Sequence, residues 1–237
     1  MCGRASLTNT EEQLEKRFHA TFYAETLDDQ QPLPNFNIAP THYHPVITSA
    51  DPEHFQYFRW GLVPFWAKDP SIGSRMINAR METVLEKPAF RAAIRQRRCL
   101  VPFDGFYEWK KMGKQKFPYR IRLKDDALFA VAGIWEKWQA PDGSPPLYTF
   151  SILTQPPNPL LADIHDRMPA ILRPEQEAIW LDEDLRAEDV LALISPYAEE
   201  EMDAYPVSKR VNKVGQNDAS LLSPVSPPDV GQQGSLF

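Results

Sequence analysis

The sequence has no long apolar run and no targeting segment at its amino end. Hydrophobic residues make up 43% of its 237 residues, which is typical of a globular chain. No apolar stretch approaches the roughly 20 residues that a membrane-spanning helix needs. A secretory leader would place basic and then apolar residues first, whereas Glu11 and Glu12 arrive within the first predicted helix. These absences predict a soluble cytoplasmic protein that is long enough to bury a sizeable core.

Cysteine and histidine are also scarce. Cys2 and Cys99 are too few for a disulfide framework in a chain of this length, or for a cysteine-rich zinc site. The five histidines are scattered, and only His42 and His44 lie close together, which is a weak basis for a metal site. The sequence therefore predicts no metal and no other cofactor.

Positive charge is low overall but is concentrated in one segment. The formal net charge is −6, yet residues 175–203 hold eleven acidic residues against Arg186 alone. Residues 91–124 hold eleven lysines and arginines against Asp104 and Glu108. Because local fields rather than total charge steer a polyanion, this distribution is compatible with nucleic-acid binding. A solvated charged face is the alternative interpretation.

Turn signals and short apolar runs predict many strands and few helices. Thr10 and Gln13 form a capping-box pattern that opens a helix with Leu14 and Phe18 on one face. Further helices are predicted from Pro88 to about Arg97 and at about 174–182 and 186–195. Residues 24–44 are predicted to be irregular. Short β-branched or aromatic runs predict strands at 45–49, 55–61, 99–103, 106–110, 117–123, 128–136 and 148–154.

These elements predict one α+β domain over residues 2–222. Its core is expected to be a curved, mainly antiparallel and barrel-like β structure with peripheral helices. The last residues, 223–237, are rich in proline and polar residues and are predicted to be a disordered tail. A monomer is the default expectation.

The second residue carries the most distinctive chemistry. If Met1 is removed, Cys2 bears a free α-amine, titrating near about 7.7–8.0, and a thiol titrating near about 8.5. Such a 1,2-aminothiol condenses with an aldehyde to an imine, and its sulfur then closes on the same carbon to give a thiazolidine. The alternative is that a cysteine stands beside the initiator by chance.

Four other segments place reactive or recognising side chains in apolar or turn-like surroundings. Asn78 stands two residues before Arg80, just after a Gly/Ser loop, and Glu108 lies between aromatic residues on a predicted strand. His165 lies between charged residues after another strand, and residues 37–40 form a tight extended turn. Taken singly, each has a structural explanation, such as a turn cap, a solvent-facing carboxylate or a hydrogen-bonded loop histidine.

Taken together, eight ordered motifs resemble one family. They extend from Cys2 to about Asn212 and read MCGR, NIAP, WGLVPFW, INARMET, FDGFYEWK, ILT, DIHDRMP and PVSKRVN. In these motifs the chain is similar to the SOS-response-associated peptidase family, known also as abasic-site processing proteins. The resemblance covers nearly the whole predicted domain.

The resemblance implies a covalent DNA reaction. The processed Cys2 would crosslink to an abasic site in single-stranded DNA through a thiazolidine and so shield the lesion. It implies that Glu108 shuttles protons, that His165 protonates the sugar ring oxygen, and that Asn78 orients the amine of Cys2. The imine intermediate would also allow weak lyase activity. Met1 would be removed either with the help of Glu108 or by the host methionine aminopeptidase.

The resemblance also implies a DNA surface without sequence specificity. Arg4, Arg80 and Arg167 are the implied phosphate contacts, and Trp66, Phe65 and Pro40 are implied stacking or wedge residues. Trp109 is a further candidate, and Arg75 and Lys110 are additions from the charge pattern. Family members often show a second tryptophan after the WG turn, where this chain has Phe65–Trp66–Ala67, so the stacking partner can differ.

The carboxyl end predicts a partner. Gln233, Leu236 and Phe237 resemble the short peptide with which bacterial replication proteins dock on the sliding clamp. On this basis the protein is expected in the cytoplasm in association with the nucleoid.

Three other functions remain open from the residues alone. The chain could be an N-terminal-nucleophile amidohydrolase, in which the thiol attacks an amide and the α-amine acts as base. It could instead be a non-catalytic single-strand or modified-base binding module with a passive Cys2. A peptidase acting on other proteins is the third alternative.

Overall fold

Two β-sheets make up most of the fold. The structure is a computed structural model and describes residues 2–23 and 33–227. The strands are β1 (Ala5–Leu7), β2 (Thr21–Phe22), β3 (Asn35–Ile38), β4 (Tyr43–Thr48), β5 (Asp51–Trp60), β6 (Asn78–Arg80), β7 (Arg98–Phe103), β8 (Gly105–Met112), β9 (Gln115–Leu123), β10 (Phe129–Trp138), β11 (Leu147–Gln155), β12 (Met168–Pro169), β13 (Ile171–Leu172) and β14 (Met202–Pro206). The helices are α1 (Glu11–Phe18), α2 (Arg91–Gln96), α3 (Pro159–Ala162), α4 (Pro174–Leu181) and α5 (Ala187–Ala192).

Five strands close into a barrel. They follow one another in the order β5-β4-β7-β10-β11, and a parallel pairing of β11 with β5 closes the ring, with Phe150 opposite Trp60. The ring of Trp60 lies about 6 Å from the ring of Phe103 and about 6 Å from that of Phe150, and all three side chains are buried. The prediction of an α+β domain with a barrel-like, mainly antiparallel core is confirmed.

The second sheet has the order β14-β9-β8-β1-β3. β7 and β8 are nearly continuous in sequence, so the chain passes from the barrel into this sheet at Asp104. The Asp104 carboxylate accepts hydrogen bonds from the hydroxyl of Ser6 (2.6 Å) and from the backbone N–H of Thr8 (2.6 Å). It also pairs with the buried guanidinium of Arg120 at 3.1 Å. This network fixes the bend that joins the two sheets.

All the predicted helices and strands are present, and the structure contains further short strands that were not predicted. All seven predicted strands are present, and α1 begins with the predicted capping box of Thr10 and Gln13. The helix predicted from Pro88 is shorter and spans Arg91–Gln96. The prediction that residues 24–44 are irregular was wrong over part of this range. Asn35–Ile38 forms strand β3, which pairs with β1, and β4 begins at Tyr43. Residues 24–32 lie outside the described part.

The chain keeps backbone pairing with the second sheet beyond residue 222. Pro224 forms a bridge with Val207, and the N–H of Val225 donates to the carbonyl of Pro206 at 2.9 Å. Residues 228–237, which include the predicted clamp motif, lie outside the described part.

No helix in the described part of the chain is long and apolar enough to span a membrane. No group of three or more His, Cys, Asp or Glu side chains within residues 2–23 and 33–227 is arranged to hold a metal ion.

Candidate active site

Cys2 is held beside β8 by the pairing of the amino-terminal strand. Ala5 lies opposite Phe106 in the antiparallel β1–β8 pair, and the N–H of Tyr107 donates to the carbonyl of Arg4 at 2.9 Å. Gly3 and Cys2 precede this pair directly, and the charge of Glu108 acts on the Cys2 thiol, so the two side chains lie near each other. The Cys2 side chain is fully buried, and burial, together with the nearby charge of Glu108, raises the pKa of its thiol. At neutral pH the sulfur is therefore protonated.

Glu108 is the buried carboxyl of the site. It lies on β8 between Tyr107 and Trp109, and only 2% of its surface is exposed. Burial raises the pKa of its carboxyl to about 7, although the positive charge of the amino terminus opposes the shift. A carboxyl that is half ionised near neutral pH can both donate and accept a proton, as general acid–base chemistry requires.

His165 faces Glu108 from a different part of the chain. It lies in the loop between α3 and β12, and its Nε2 is 3.8 Å from a carboxylate oxygen of Glu108. Burial lowers the pKa of its imidazole, and the charge of the amino terminus adds to this effect. In the neutral ring, Nδ1 accepts the N–H of Arg167 at 3.1 Å, so the proton resides on Nε2, which faces Glu108.

Asp166 touches the same imidazole nitrogen. Its carboxylate oxygen is 3.0 Å from Nδ1 of His165, and 82% of its side chain is exposed. This contact favours the protonated ring, in which Nδ1–H donates to Asp166, whereas the contact with Arg167 favours the neutral ring. Asp166 therefore supports the imidazolium when a proton arrives. The sequence assigned no role to Asp166, and adjacency to His165 was the signal that could have found it.

Asn78 reaches the site from the barrel. Strand β6 pairs in parallel with β11, with Asn78 opposite Ile152. The side-chain amide of Asn78 donates to the carbonyl oxygen of Cys2 at 2.8 Å, and its own oxygen is buried without a hydrogen-bond partner among the described residues. The predicted contact was with the amine of Cys2, and the contact observed is with the carbonyl. The four predicted catalytic residues thus come together from the segment before β1, from β6, from β8 and from the loop before β12.

Two of the predicted phosphate contacts already hold acceptors within the protein. Arg167 is 9% exposed, pairs with both carboxylate oxygens of Glu82 (2.5 and 2.9 Å), and donates to the carbonyl of Thr154 at 2.6 Å. These bonds tie the His165 loop to β11. Arg4 donates to the side-chain oxygen of Asn37 at 2.7 Å and to the carbonyl of Val211. Each arginine therefore has a structural role beside any contact with DNA, which stays a prediction.

The exposed candidates lie on β6 and on the loop that follows β5. Arg80 and Arg75 are exposed, and Pro40 is half-buried. Phe65 and Trp66 are 61% and 49% exposed, which is unusual for large aromatic side chains. The loop that carries them folds back at Gly61, where a Cβ would come within 2.6 Å of the carbonyl oxygen of Gly73. The close approach of Gly61 and Gly73 fixes the path of the loop that carries Phe65 and Trp66.

Trp109 lies on the opposite face of β8 from Glu108. Because side chains alternate along a strand, it shares a face with Tyr107 and packs against the cluster of Tyr107, Val207, Val211 and Leu221. Its indole N–H donates to the side chain of Asn212 at 2.8 Å. The structure therefore places Trp109 away from the carboxyl and imidazole, while its predicted DNA contact stays untested. Lys110, two residues beyond Glu108, is half-buried on β8.

Comparisons with known proteins agree on the relationship of this chain. The family model described as SOS response associated peptidase (SRAP) matches residues 1–214. YoqW of Bacillus subtilis, named abasic site processing protein, is 43% identical over 225 residues, which cover 94% of this chain and 99% of that protein. HMCES of Xenopus tropicalis, with the same descriptive name, is 30% identical over 95% of this chain and 78% of its own length.

A solved structure supports the fold independently. A protein from Bacteroides thetaiotaomicron superposes with a TM-score of 0.84 at 33% sequence identity, and the match covers 94% of this chain and 100% of the other. The family match spans nearly the whole domain, including the strands and loops that carry Cys2, Asn78, Glu108 and His165. The chain therefore belongs to the SOS response associated peptidase (SRAP) family.

Proposed function

We propose that this protein, once Met1 is removed, reacts with abasic sites in single-stranded DNA and forms a thiazolidine crosslink through Cys2. The observation that carries the proposal is the convergence of a buried aminothiol residue, a carboxyl with a pKa of about 7 and an imidazole 3.8 Å from that carboxyl. The names of the relatives YoqW and HMCES, which describe abasic-site processing, agree with it.

The amine rather than the thiol makes the first attack. Burial raises the pKa of the Cys2 thiol, so the sulfur is protonated and a weak nucleophile at neutral pH. The α-amine adds to the C1′ aldehyde of the ring-opened sugar and gives a carbinolamine. Loss of water then forms the imine. Addition of the S–H across the imine places sulfur on carbon and hydrogen on nitrogen, so the adduct equals both reactants less one water.

Glu108 and His165 move the protons that this sequence requires. Glu108 removes a proton from the α-ammonium, which frees the amine to attack, and later gives that proton to the hydroxyl that leaves the carbinolamine as water. His165, with Asp166 beside Nδ1, donates a proton to the ring oxygen of the sugar and keeps the aldehyde form available. Asn78 holds the Cys2 carbonyl, so the amine is presented in a fixed direction.

The exposed residues beside β6 form the proposed DNA surface. Arg80 and Arg75 would neutralise phosphates, and Phe65 and Trp66 would stack on bases next to the lesion. Pro40 would act as a wedge. Arg4 and Arg167 would add phosphate contacts through N–H groups that remain outside their internal hydrogen bonds. Such contacts carry little sequence information, so recognition would depend on the lesion itself.

Intact-mass analysis tests the reaction. The processed protein, mixed with an oligonucleotide bearing one abasic site, is expected to give a species at the combined mass less one water. Cys2→Ala should give no stable adduct. Cys2→Ser keeps the amine but lacks sulfur, and it should give only an imine that a hydride reductant traps.

Cys99→Ala provides the matched control for these variants. Cys99 is the other buried cysteine, but it lies on β7, inside the barrel. This variant should form the adduct as wild type does. A stable, unreduced adduct with Cys2→Ala would refute the assigned nucleophile.

The alternatives predict different results. An amidohydrolase would release ammonia from glutamine without DNA, which an ammonia assay with the processed protein detects. A passive binding module would hold single strands equally well in Cys2→Ala and would never form an adduct with any abasic oligonucleotide.

Weak lyase activity and autocatalytic removal of Met1 are secondary parts of the proposal. The imine would allow β-elimination before sulfur adds, so Cys2→Ser should cleave abasic strands more than wild type does. If Glu108 takes part in removal of Met1, Glu108→Gln should retain Met1 when it is made in cells without methionine aminopeptidase.

The tail prediction also belongs to this proposal. Gln233, Leu236 and Phe237 would tether the protein to the sliding clamp of the replication machinery and hold it near the nucleoid. A pull-down with the purified clamp tests this binding. It compares the full chain with a chain that lacks the last five residues. Equal recovery of both chains would exclude this partner.

A further inference from the structure

The hairpin that follows Glu108 ends in a group of lysines. β8 and β9 are joined by a tight turn in which Met112 lies opposite Gln115 and Lys111 lies opposite Lys116. Gly113 has a φ of +59°, which allows the turn to be this short. The turn and its strands carry four lysines, which together with the neighbouring Lys209 form the lysine hairpin: Lys110, Lys111, Lys114 and Lys116.

The ammonium groups of the lysine hairpin are not neutralised by carboxylates of the protein. Within residues 2–23 and 33–227, none of the ion pairs involves a lysine, whereas arginines such as Arg120 and Arg167 bind carboxylates. Lys111, Lys114 and Lys116 are exposed. Lys209 lies over the ring of Phe117 at 4.4 Å and donates to the side chain of Gln115 at 3.2 Å, so it extends the same basic surface.

The lysine hairpin lies next to the candidate active site. Glu108 is four residues before Met112 on the same strand, about 13 Å at 3.3 Å per residue. His165 is close enough that Lys116, after the larger effects of burial and the amino terminus, helps to lower the pKa of its imidazole. The other basic group, Arg75 and Arg80, lies beside β6, which pairs with the barrel strand β11 rather than with β8. The site therefore has a separate basic surface on each of its two sheets.

We propose that the lysine hairpin binds the sugar–phosphate backbone on one side of the lesion, while Arg75, Arg80 and the exposed aromatic pair hold the strand on the other side. This inference rests on the proposed function, because a strand whose abasic sugar reaches Cys2 must continue in both directions. A single basic surface would bind only one arm of the strand, that is, the nucleotides on one side of the lesion. Two basic surfaces on different sheets bind both arms and so place the abasic sugar between them.

Salt dependence of reversible binding tests the lysine hairpin without the covalent step. The triple variant Lys111→Gln, Lys114→Gln, Lys116→Gln is compared with Lys16→Gln, Lys87→Gln, Lys124→Gln, which removes the same charge from exposed positions elsewhere. The probe is an undamaged single-stranded oligonucleotide. Each lost phosphate contact reduces the slope of log Kd against log salt by about 0.7, so the hairpin variant should lose about 2 from this slope. The control variant should keep the wild-type slope.

Adduct formation on asymmetric substrates tests the assignment to one arm. Two abasic oligonucleotides are used at subsaturating protein, one with a long arm only 5′ of the lesion and one with a long arm only 3′. The hairpin variant should react more slowly than wild type with one of them and at the wild-type rate with the other. Lysine-to-arginine replacement at the same three positions should restore both the slope and the rate.

The outcomes separate this inference from the proposed function. Equal salt slopes for the hairpin and control variants, or equal losses on both arms, would overturn the role of the lysine hairpin even if wild type forms the adduct. Absence of any adduct with wild type would refute the proposed function, and the salt slopes would still decide whether the hairpin binds single strands.

Discussion

The side-chain amide of Asn78 donates a hydrogen bond of 2.8 Å to the carbonyl oxygen of Cys2, and so joins the barrel strand β6 to the amino-terminal segment. Cys2 is thereby tied to both sheets, because the pairing of β1 with β8 holds the same segment from the other side. Residues near a chain end are usually poorly ordered. Here the segment that carries Cys2 is held from both sheets.

Asn78→Ala should slow the crosslink without removing it. Loss of a partner for a buried carbonyl costs about 1–3 kcal/mol, which corresponds to roughly a tenfold to hundredfold lower rate if the bond holds the reactive geometry. Single-turnover formation of the adduct measures this rate. Asn9→Ala, at a half-buried asparagine of the β1–α1 loop, is the control and should react as wild type does. An unchanged rate in Asn78→Ala would show that the bond is only structural.

Glu108→Gln should remove a pH-dependent step. With its pKa near 7, the Glu108 carboxyl changes charge in the neutral range, so the rate of adduct formation in wild type should show an inflection there. The variant should lack this inflection and react about a hundredfold more slowly or worse, as expected for loss of a general acid–base group. An exposed control, Glu86→Gln, should keep the wild-type profile.

The same carboxyl should destabilise the folded protein at alkaline pH. Its pKa in the folded state, about 7, exceeds the unfolded value of about 4.3, so the folded state binds more protons between these limits. Stability should therefore fall as pH rises from about 4.3 to 7 and stay level above, and Glu108→Gln should be more stable than wild type at pH 8 by up to about 4 kcal/mol. Urea unfolding across this pH range measures the free energy of unfolding of both proteins. A Glu108→Gln variant that is less stable than wild type at pH 8 would contradict the raised pKa of Glu108.

Gly105→Ala should destabilise the bend between the sheets. A Cβ at this position would lie 2.9 Å from Nε and Nη2 of Arg120, whose guanidinium is buried against Asp104. Crowding in a packed site costs about 1–3 kcal/mol, and displacement of Arg120 would leave the Asp104 carboxylate without its partner. Chemical denaturation measures the loss. Gly215→Ala is the matched control, because no atom lies within 4 Å of its added Cβ, and it should be nearly neutral.

Trp66→Ala should weaken single-strand binding while leaving the fold intact. The side chain is 49% exposed, so truncation removes little buried area, whereas a lost base–aromatic stack is worth about 1–3 kcal/mol. Fluorescence anisotropy with a labelled single strand measures the affinity. Tyr23→Ala, at an aromatic residue that is 52% exposed and hydrogen-bonded to Asp51, is the control. Equal affinities of the two variants would remove Trp66 from the DNA surface.

The local signals in the sequence were strong enough to predict most elements. The capping box at Thr10 and the short aromatic and β-branched runs predicted α1 and seven strands, because each depends on residues close together in the chain. Strands β1, β3, β6 and β14 and the two-residue strands were not predicted in this way. Asn35–Ile38 forms a strand because β1 supplies its hydrogen bonds, and such a partner lies far away in sequence.

Motif spacing predicted which side chains matter but not what each contacts. Asp104 and Gly105 belong to the same motif as Glu108, yet their structural partner is Arg120. Asp104 pairs with its guanidinium, and Gly105 leaves room for it because it has no Cβ. Strand alternation places Trp109 on the opposite face of β8 from Glu108. Only the fold shows that the face with Trp109 packs against Val207, Val211 and Leu221. The sequence shows that Asp166 is next to His165, but only the structure shows that its carboxylate contacts Nδ1 of that ring.

The sequence by itself determined the identity of the family, the barrel-like α+β class and the set of candidate residues, because ordered motifs and local turn chemistry are properties of the linear chain. Only the tertiary structure decided which of them meet: Cys2, Asn78, Glu108 and His165 come from segments up to 163 residues apart. Burial of the Glu108 carboxyl, and hence its pKa, likewise follows from packing between the two sheets. Contacts between distant segments and the desolvation that they cause arise only when the chain has folded.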